Sequence, residues 1–185
     1  MPAINRCALP TEALLQRYAG SSAYADCYAT DVAQDVSHAA FVEAFYTTRV
    51  FKLERLILRL FASRPSTDLQ ARQLADGTAS SFAAWTVEDR ATDQLLLADF
   101  SGRTRSWLMI EPLAGAASPG TRLYFGSAVI PVRNQTSGRT SLGFAFRALL
   151  GFHKLYSRIL LATASAQLAR QERMRQKIWR RGAGP

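Results

Sequence analysis

LLGFHKLYSRILL, residues 149–161, decides how the rest of the chain is read. At about 100° per residue, Arg147, Gly151, Lys154, Arg158 and Ser165 fall on one narrow helical face. Leu149, Phe152, Leu155, Tyr156, Ile159 and Leu160 lie opposite. So broad an apolar arc predicts a helix embraced by the curved face of a sheet. The pattern predicts a start near Ser141 and an end at about Arg180. Beyond Ala169 the apolar residues thin out, and the last turns are expected to project from the body.

Upstream of a polar link at 134–140 the period changes from helical to alternating. FAAWTVED (82–89), QLLLADF (94–100), RTRSWLMIEP (103–112) and TRLYFGSAVIPV (121–132) read as four strands. Ser101-Gly102 is a compact hairpin turn, and residues 115–120 form a looser loop of small residues. Gly126 inside a strand signals a bulge or a close backbone approach. Asp99 and Arg103 flank the hairpin turn and are expected to pair. Nearer the start, SAYADCYATD (22–31) reads as another strand, with Tyr24 and Tyr28 on one face.

Asp35 or Ser37 then offers a cap for a helical stretch over 38–62 that breaks near Thr47-Thr48. Its second part gathers Val50, Leu53, Ile57, Leu60 and Phe61 on one side and Lys52, Arg55 and Arg59 opposite. A short helix at 68–75 ends at Asp76-Gly77, where glycine supplies the left-handed cap. Residues 1–20 read as a weakly ordered arm or a short helix.

Composition narrows the class. The chain has 185 residues, 48% of them hydrophobic and 20% charged, which suits one globular domain. Cys7 and Cys27 have no metal-ligand spacing, so a reducing compartment is the default. No apolar run marks a secretory signal at the N-terminus. The best membrane-span candidate, 142–164, is interrupted by Arg147, His153, Lys154 and Arg158. A soluble, cytoplasmic protein is the resulting expectation. More than half of the net charge of +9 sits in residues 170–185, where Arg170, Arg173, Arg175, Lys177, Arg180 and Arg181 face only Glu172. Such a segment attracts anionic membrane or nucleic acid, or is simply a solvated helix end suited to the helix dipole. No nucleophile elbow, phosphate loop, HExxH pair or dinucleotide glycine fingerprint is present. Neither a cofactor nor a metal is called for.

The order strand, paired helices, antiparallel strands and long closing helix resembles the START-like or helix-grip superfamily, which includes polyketide cyclases and birch-pollen-allergen-like proteins. LLGFHKLYSRILL looks like the closing helix of bacterial members, and the resemblance covers roughly residues 22–165. It implies an α+β fold in which a curved antiparallel sheet wraps around the C-terminal helix. The chain then divides into an arm (1–21), a START-like domain (22–168) and a basic extension (169–185). The resemblance further implies a cavity between sheet and helix that holds a lipid, steroid or aromatic molecule. Some members catalyse cyclisation or aromatisation there. No catalytic motif common to the superfamily exists to be carried over, so the residues must argue for themselves.

Seven side chains are candidates for such a site. His153, on the apolar side of the final helix, is an acid, base or hydrogen-bond partner, or a core histidine satisfied by a carbonyl. Tyr156 lines a pocket or packs. Glu54 falls among Val50, Phe51, Ile57, Leu58 and Phe61, so it needs a cation or donors. Arg90, Arg103 or Arg105 could pair with it, or it joins His153 as an acid–base couple. Arg103, Arg105, Trp107, Met109 and Glu111 share one strand face, and Trp85 lies on a preceding strand. An arginine beside tryptophan binds an anionic aromatic ligand or stacks at the surface. Tyr124 completes the set. The leading expectation is a carrier or sensor for a hydrophobic or aromatic small molecule. The alternatives are a cyclase- or hydrolase-like enzyme using Glu54, His153 and Tyr156, and a protein docking to acidic partners through its basic tail.

Overall fold

A computed structural model describes residues 3–20, 23–53, 55, 66–114, 119–130 and 144–182, with the side chains of the last helix described from Lys154 to Arg181. The fold is α+β: a curved antiparallel sheet grips a long C-terminal helix. Among the described residues the strands are β1 (Asn5–Arg6), β2 (Tyr24–Val32), β3 (Ser81–Phe82), β4 (Trp85–Arg90), β5 (Gln94–Asp99), β6 (Thr104–Pro112) and β7 (Thr121–Val129). Their order across the sheet is β1-β2-β7-β6-β5-β4-β3. The helices are α1 (His38–Tyr46), α2 (beginning at residue 49), α3 (Asp68–Ala75) and α4 (Phe144–Gly182).

Local chemistry sets the helix ends. Ser37 caps α1 by accepting from the Ala40 amide at 3.2 Å. The break at Thr47-Thr48 is real: the Thr48 hydroxyl donates back to the Phe45 carbonyl and accepts the Phe51 amide. One threonine thus closes α1 and opens α2. Thr67 and Gln70 form a capping box on α3.

The pleat gives the sheet two buried faces. Tyr28, Leu95, Leu97, Leu108, Leu123 and Phe125 point to the concave face, beneath α1, α2 and α4. Aromatic rings fill this core: Phe45 and Phe125 lie 4.8 Å apart between centroids, and Tyr46 and Phe51 also 4.8 Å apart. Leu96, Trp107, Met109, Tyr124 and Ala128 point to the convex face.

The convex face is covered by the N-terminal arm. β1 pairs with β2, and a 3-10 turn at Leu14–Tyr18 inserts Leu15, which is fully buried. Gln94 fastens this turn. Its carbonyl oxygen accepts from the Leu14 amide and from Trp107 Nε1, both at 2.9 Å, while its amide nitrogen donates to the Glu12 carbonyl at 3.1 Å. Gly126 makes room for the arm. A Cβ there would sit 2.8 Å from Leu15 Cδ2, 2.9 Å from Trp107 and 3.0 Å from the Asp26 carbonyl. The glycine therefore marks a close approach and not a bulge, since β7 keeps unbroken register with both neighbours. The bulge lies in β4, between Val87 and Asp89.

Four sequence expectations are corrected. FAAWTVED is two strands, reversed at Ala83, whose φ of 53° makes a tight turn. Asp99 does not pair with Arg103 through its side chain: its carboxylate accepts the Arg103 and Thr104 amides at 2.8 and 2.9 Å, capping the hairpin. On α2, Leu53 is exposed and Arg55 is buried. The Arg55 guanidinium meets Asp68 and Ser66 and lies over the Phe82 ring, so its charge and its flat face are both matched. On α4, Leu155 and Ile159 are 57% and 39% exposed. The buried stripe is Ser157, Leu160, Leu161, Ala164, Ser165 and Leu168, and the helix is rotated so that Lys154 and Arg158 approach the sheet.

Replacing Gly126 by alanine is expected to destabilise the fold by roughly 1–3 kcal/mol through overpacking, measured by denaturant unfolding. Adding Leu15→Ala to Gly126→Ala should cost less than the two single losses together, because one clash partner is gone. Strict additivity would show that the arm does not rest on this glycine.

Candidate functional site

Beneath α4, the concave face carries a row of polar side chains where packing alone calls for apolar ones. Asp26 on β2 stands directly opposite Ser127 on β7, and Ser127 stands opposite Ser106 on β6. All three are buried, Asp26 to 4% exposure. Ser127 Oγ donates to Asp26 Oδ1 at 2.6 Å, and Tyr24 Oη donates to Asp26 Oδ2 at 3.4 Å. Further along the row the Tyr46 hydroxyl and Ser106 Oγ share a hydrogen bond of 3.3 Å.

Helix α4 adds positive charge. Lys154 Nζ lies 6.0 Å from the Tyr24 ring centroid, and the Arg158 guanidinium 5.5 Å from that of Tyr28. Burial, and then the Asp26 charge, push the Tyr24 phenol up to about 12. The Tyr28 phenol is raised for the same two reasons. Both remain hydrogen-bond donors at neutral pH. One carboxylate, two phenols, a hydroxyl and two cations therefore converge on one patch of the helix–sheet interface. Such a set offers hydrogen-bond donors, an acceptor and positive charge within an otherwise apolar interface.

Trp85 lies on the same concave face, at the opposite edge of the sheet. It packs against the aromatic core, and its Nε1 is buried without a hydrogen-bond partner among the described residues. The row Tyr24–Val129–Thr104, continued across β5 to Trp85, sets the two aromatic residues at its ends. Tyr156 on α4 packs against this core as well.

The other expected site residues are placed elsewhere. Arg105, Trp107 and Tyr124 are on the convex face, under or beside the arm. Arg105 lies over the Tyr18 ring at 5.0 Å and forms an ion pair with Glu88, to which Tyr18 Oη also donates. Trp107 is held by Gln94. Tyr124 donates to Glu111 at 2.6 Å, and burial followed by that carboxylate lifts its phenol to about 12. These three are not brought together with Tyr156 or Trp85. Glu54 lies outside the described residues. His153 belongs to α4, but its side chain lies outside the described ones. Among the described residues no group of three or more His, Cys, Asp or Glu side chains is placed to hold a metal.

Asp26, Ser127, Ser106 and Tyr46 were not singled out from sequence. Their signal was polarity at an inward phase: Asp26 sits midway between Tyr24 and Tyr28 at period two. Only the register, which sets Asp26 against Ser127, makes that phase meaningful.

No protein-family model matches the chain, and neither curated proteins nor solved structures yield a significant match.

The second histidine supplies a pH signature. His38, at the start of α1, is buried, and burial pulls its pKa down to about 4. Arg90 depresses it further, while the Leu108 carbonyl and Asp93 oppose the shift. An unfolded histidine titrates near ~6.5. Between these values the unfolded chain binds a proton that the folded chain does not, so stability falls as pH drops below ~6.5. The loss should reach roughly 2 kcal/mol at pH 5, and His38→Leu should abolish this component. Parallel pH–stability curves for the two proteins would contradict the assignment.

Proposed function

We propose that the chain binds a hydrophobic or aromatic small molecule bearing one polar group, between the concave sheet face and α4, as a carrier or sensor. The observation that carries this reading is the buried Asp26–Ser127 pair beneath Lys154 and Arg158. A buried carboxylate costs several kcal/mol unless paired, and packing gives no reason to place one there. The unpartnered Trp85 Nε1 supports the same reading, because a ligand acceptor would satisfy it. The helix-grip arrangement is the one that START-like proteins use to enclose such ligands, and membership of that superfamily is part of the proposal.

Native mass spectrometry of the purified protein should reveal a co-purified apolar molecule. An anilinonaphthalene sulfonate probe should bind the folded protein and quench Trp85, a response lost in Trp85→Phe. Asp26→Asn and Ser127→Ala should each weaken binding of the co-purified molecule about tenfold, the worth of one hydrogen bond to a charged group. Absence of both ligand and probe binding would refute the proposal.

The far end of α4 favours a second reading. Met174, Ile178 and Trp179 are exposed there, Trp179 to 73%, on a helix whose other side carries Arg173, Lys177 and Arg180. Exposed tryptophan with flanking cations is the composition of a helix that lies on an anionic membrane surface. Among the described residues no helix is long and apolar enough to cross a membrane. Sedimentation with phosphatidylserine vesicles should show salt-sensitive binding that deletion of residues 170–185 removes. Binding that survives the deletion would exclude this role.

A further inference from the structure

We propose that Cys7 and Cys27 form a reversible dithiol–disulfide couple, in which Cys7 reacts with a peroxide and Cys27 resolves the product. The pairing of Asn5 with Ala29 and of Arg6 with Tyr28 continues one step to set Cys7 beside Cys27. The Cys7 amide donates to the Cys27 carbonyl at 3.1 Å. This backbone contact holds the two sulfurs 3.3 Å apart, with both thiols free.

The two positions differ in the way the chemistry requires. Cys7 is half-buried and lines the grooves on both sides of the arm, one with Asp31, Arg122 and Tyr124, the other with Arg6, Gln16, Tyr24 and Cys27, whereas Cys27 lines the second alone. Cys27 is buried in the convex core. The sulfur contact with Cys27 holds the Cys7 thiol below its ordinary range, and Arg122 helps while burial opposes. The same contact, together with burial, pushes the Cys27 thiol up. The accessible sulfur is therefore the one that gives up its proton more readily, and the enclosed one holds its proton more tightly.

The reaction balances with hydrogen peroxide as oxidant. The Cys7 thiolate attacks one peroxide oxygen; the S–O bond forms, the O–O bond breaks, and hydroxide leaves. Cys27 then loses its proton and attacks the Cys7 sulfenic sulfur. The S–S bond forms, the S–O bond breaks, and the departing hydroxyl takes the proton as water. Sulfur is oxidised by two electrons in all, and the peroxide is reduced to water. A low-molecular-weight thiol reverses the step by exchange. The bridge spans a separation of 20 residues, and the loop it closes includes the 3-10 turn that carries Leu15. Oxidation thus staples the arm over Gly126 and Trp107, and reduction leaves it held by non-covalent contacts alone, the β1–β2 pairing, Gln94 and the Tyr18–Glu88 bond among them.

The full-length protein, reduced and then treated with hydrogen peroxide under native conditions, should lose both free thiols together. A non-reducing peptide map should join the Cys7 and Cys27 peptides within one chain. The melting temperature should rise by roughly 6–12 °C, as expected for a loop of this length in a chain of this size, and fall again on reduction. Cys27→Ser should trap a dimedone-reactive sulfenic acid on Cys7, whereas Cys7→Ser should leave Cys27 unreactive. Thiols that both persist, oxidation of Cys7 to sulfinic acid with Cys27 still free, or links formed only between chains would overturn the proposal. Preferential oxidation of Cys27 in Cys7→Ser would overturn the assignment of roles.

Discussion

Gln94 ties the two ends of the fold's logic together. It is a buried amide on an inner strand, facing away from the helices, and its three hydrogen bonds reach the Trp107 indole and, at Glu12 and Leu14, the start of the Leu14–Tyr18 turn. Without the arm, the convex face would present Leu96, Trp107, Met109 and Ala128 to water, an apolar patch of the kind soluble chains avoid. Without Gln94, the Trp107 Nε1 and the Leu14 amide would be buried unpaired, each at a cost of about 1–3 kcal/mol. The glycine at 126 is the steric counterpart of this polar clamp, since it lets Leu15 descend between them.

Covering both faces leaves the sheet with two cores of different character. The convex core is small, and its polar groups are matched: Gln94 with Trp107, Glu88 with Arg105 and Tyr18, Glu111 with Tyr124. The concave core is large and aromatic, and its polar groups are gathered in one row near β2. Saturated hydrogen bonding on one side and a concentrated, charged patch on the other separate the polarity that fastens the arm from the polarity on which the proposed binding site rests. A tryptophan beside an arginine reads alike in sequence whether it packs or binds. In this chain Trp107 and Arg105 belong to the clamp, while Trp85 belongs to the face that a ligand would meet.

That distinction sets the limit of what sequence made legible. The long helix, the strands from 85 to 129, the Ser101-Gly102 turn, the break at Thr47-Thr48 and the close approach at Gly126 all follow from short-range periodicity and turn chemistry. The arm did not, because β1 has two residues and its partner lies on another strand more than twenty residues away. Nor did the burial of Arg55, which depends on Asp68 and Ser66 arriving from α3 and its approach. The polar row required two registers at once. Long-range pairing decides each of these, and a helical wheel or a strand alternation contains none of it.

The rotation of α4 follows from the same patch. A wheel drawn on hydrophobicity puts Leu155 and Ile159 inward and Lys154 and Arg158 outward, yet Leu155 and Ile159 are exposed, Lys154 is half-buried, and Arg158, though exposed, reaches back over the Tyr28 ring. The sheet explains why. Tyr24 and Tyr28 offer ring faces to the two cations, and Asp26 lies between those tyrosines as a buried negative charge. Turning Leu155 inward would take both cations off these rings, beside a carboxylate whose burial costs several kcal/mol unless it is compensated. Exposing two aliphatic side chains forfeits about 1.5–3 kcal/mol for each if it would otherwise be fully buried. The two quantities are of similar size, so the orientation is settled by the tyrosine contacts and by the small residues Ser157, Ala164 and Ser165, which let the helix approach closely. The same tyrosines flank Asp26, so the contacts that seat α4 on β2 and the proposed binding site share Tyr24 and Tyr28.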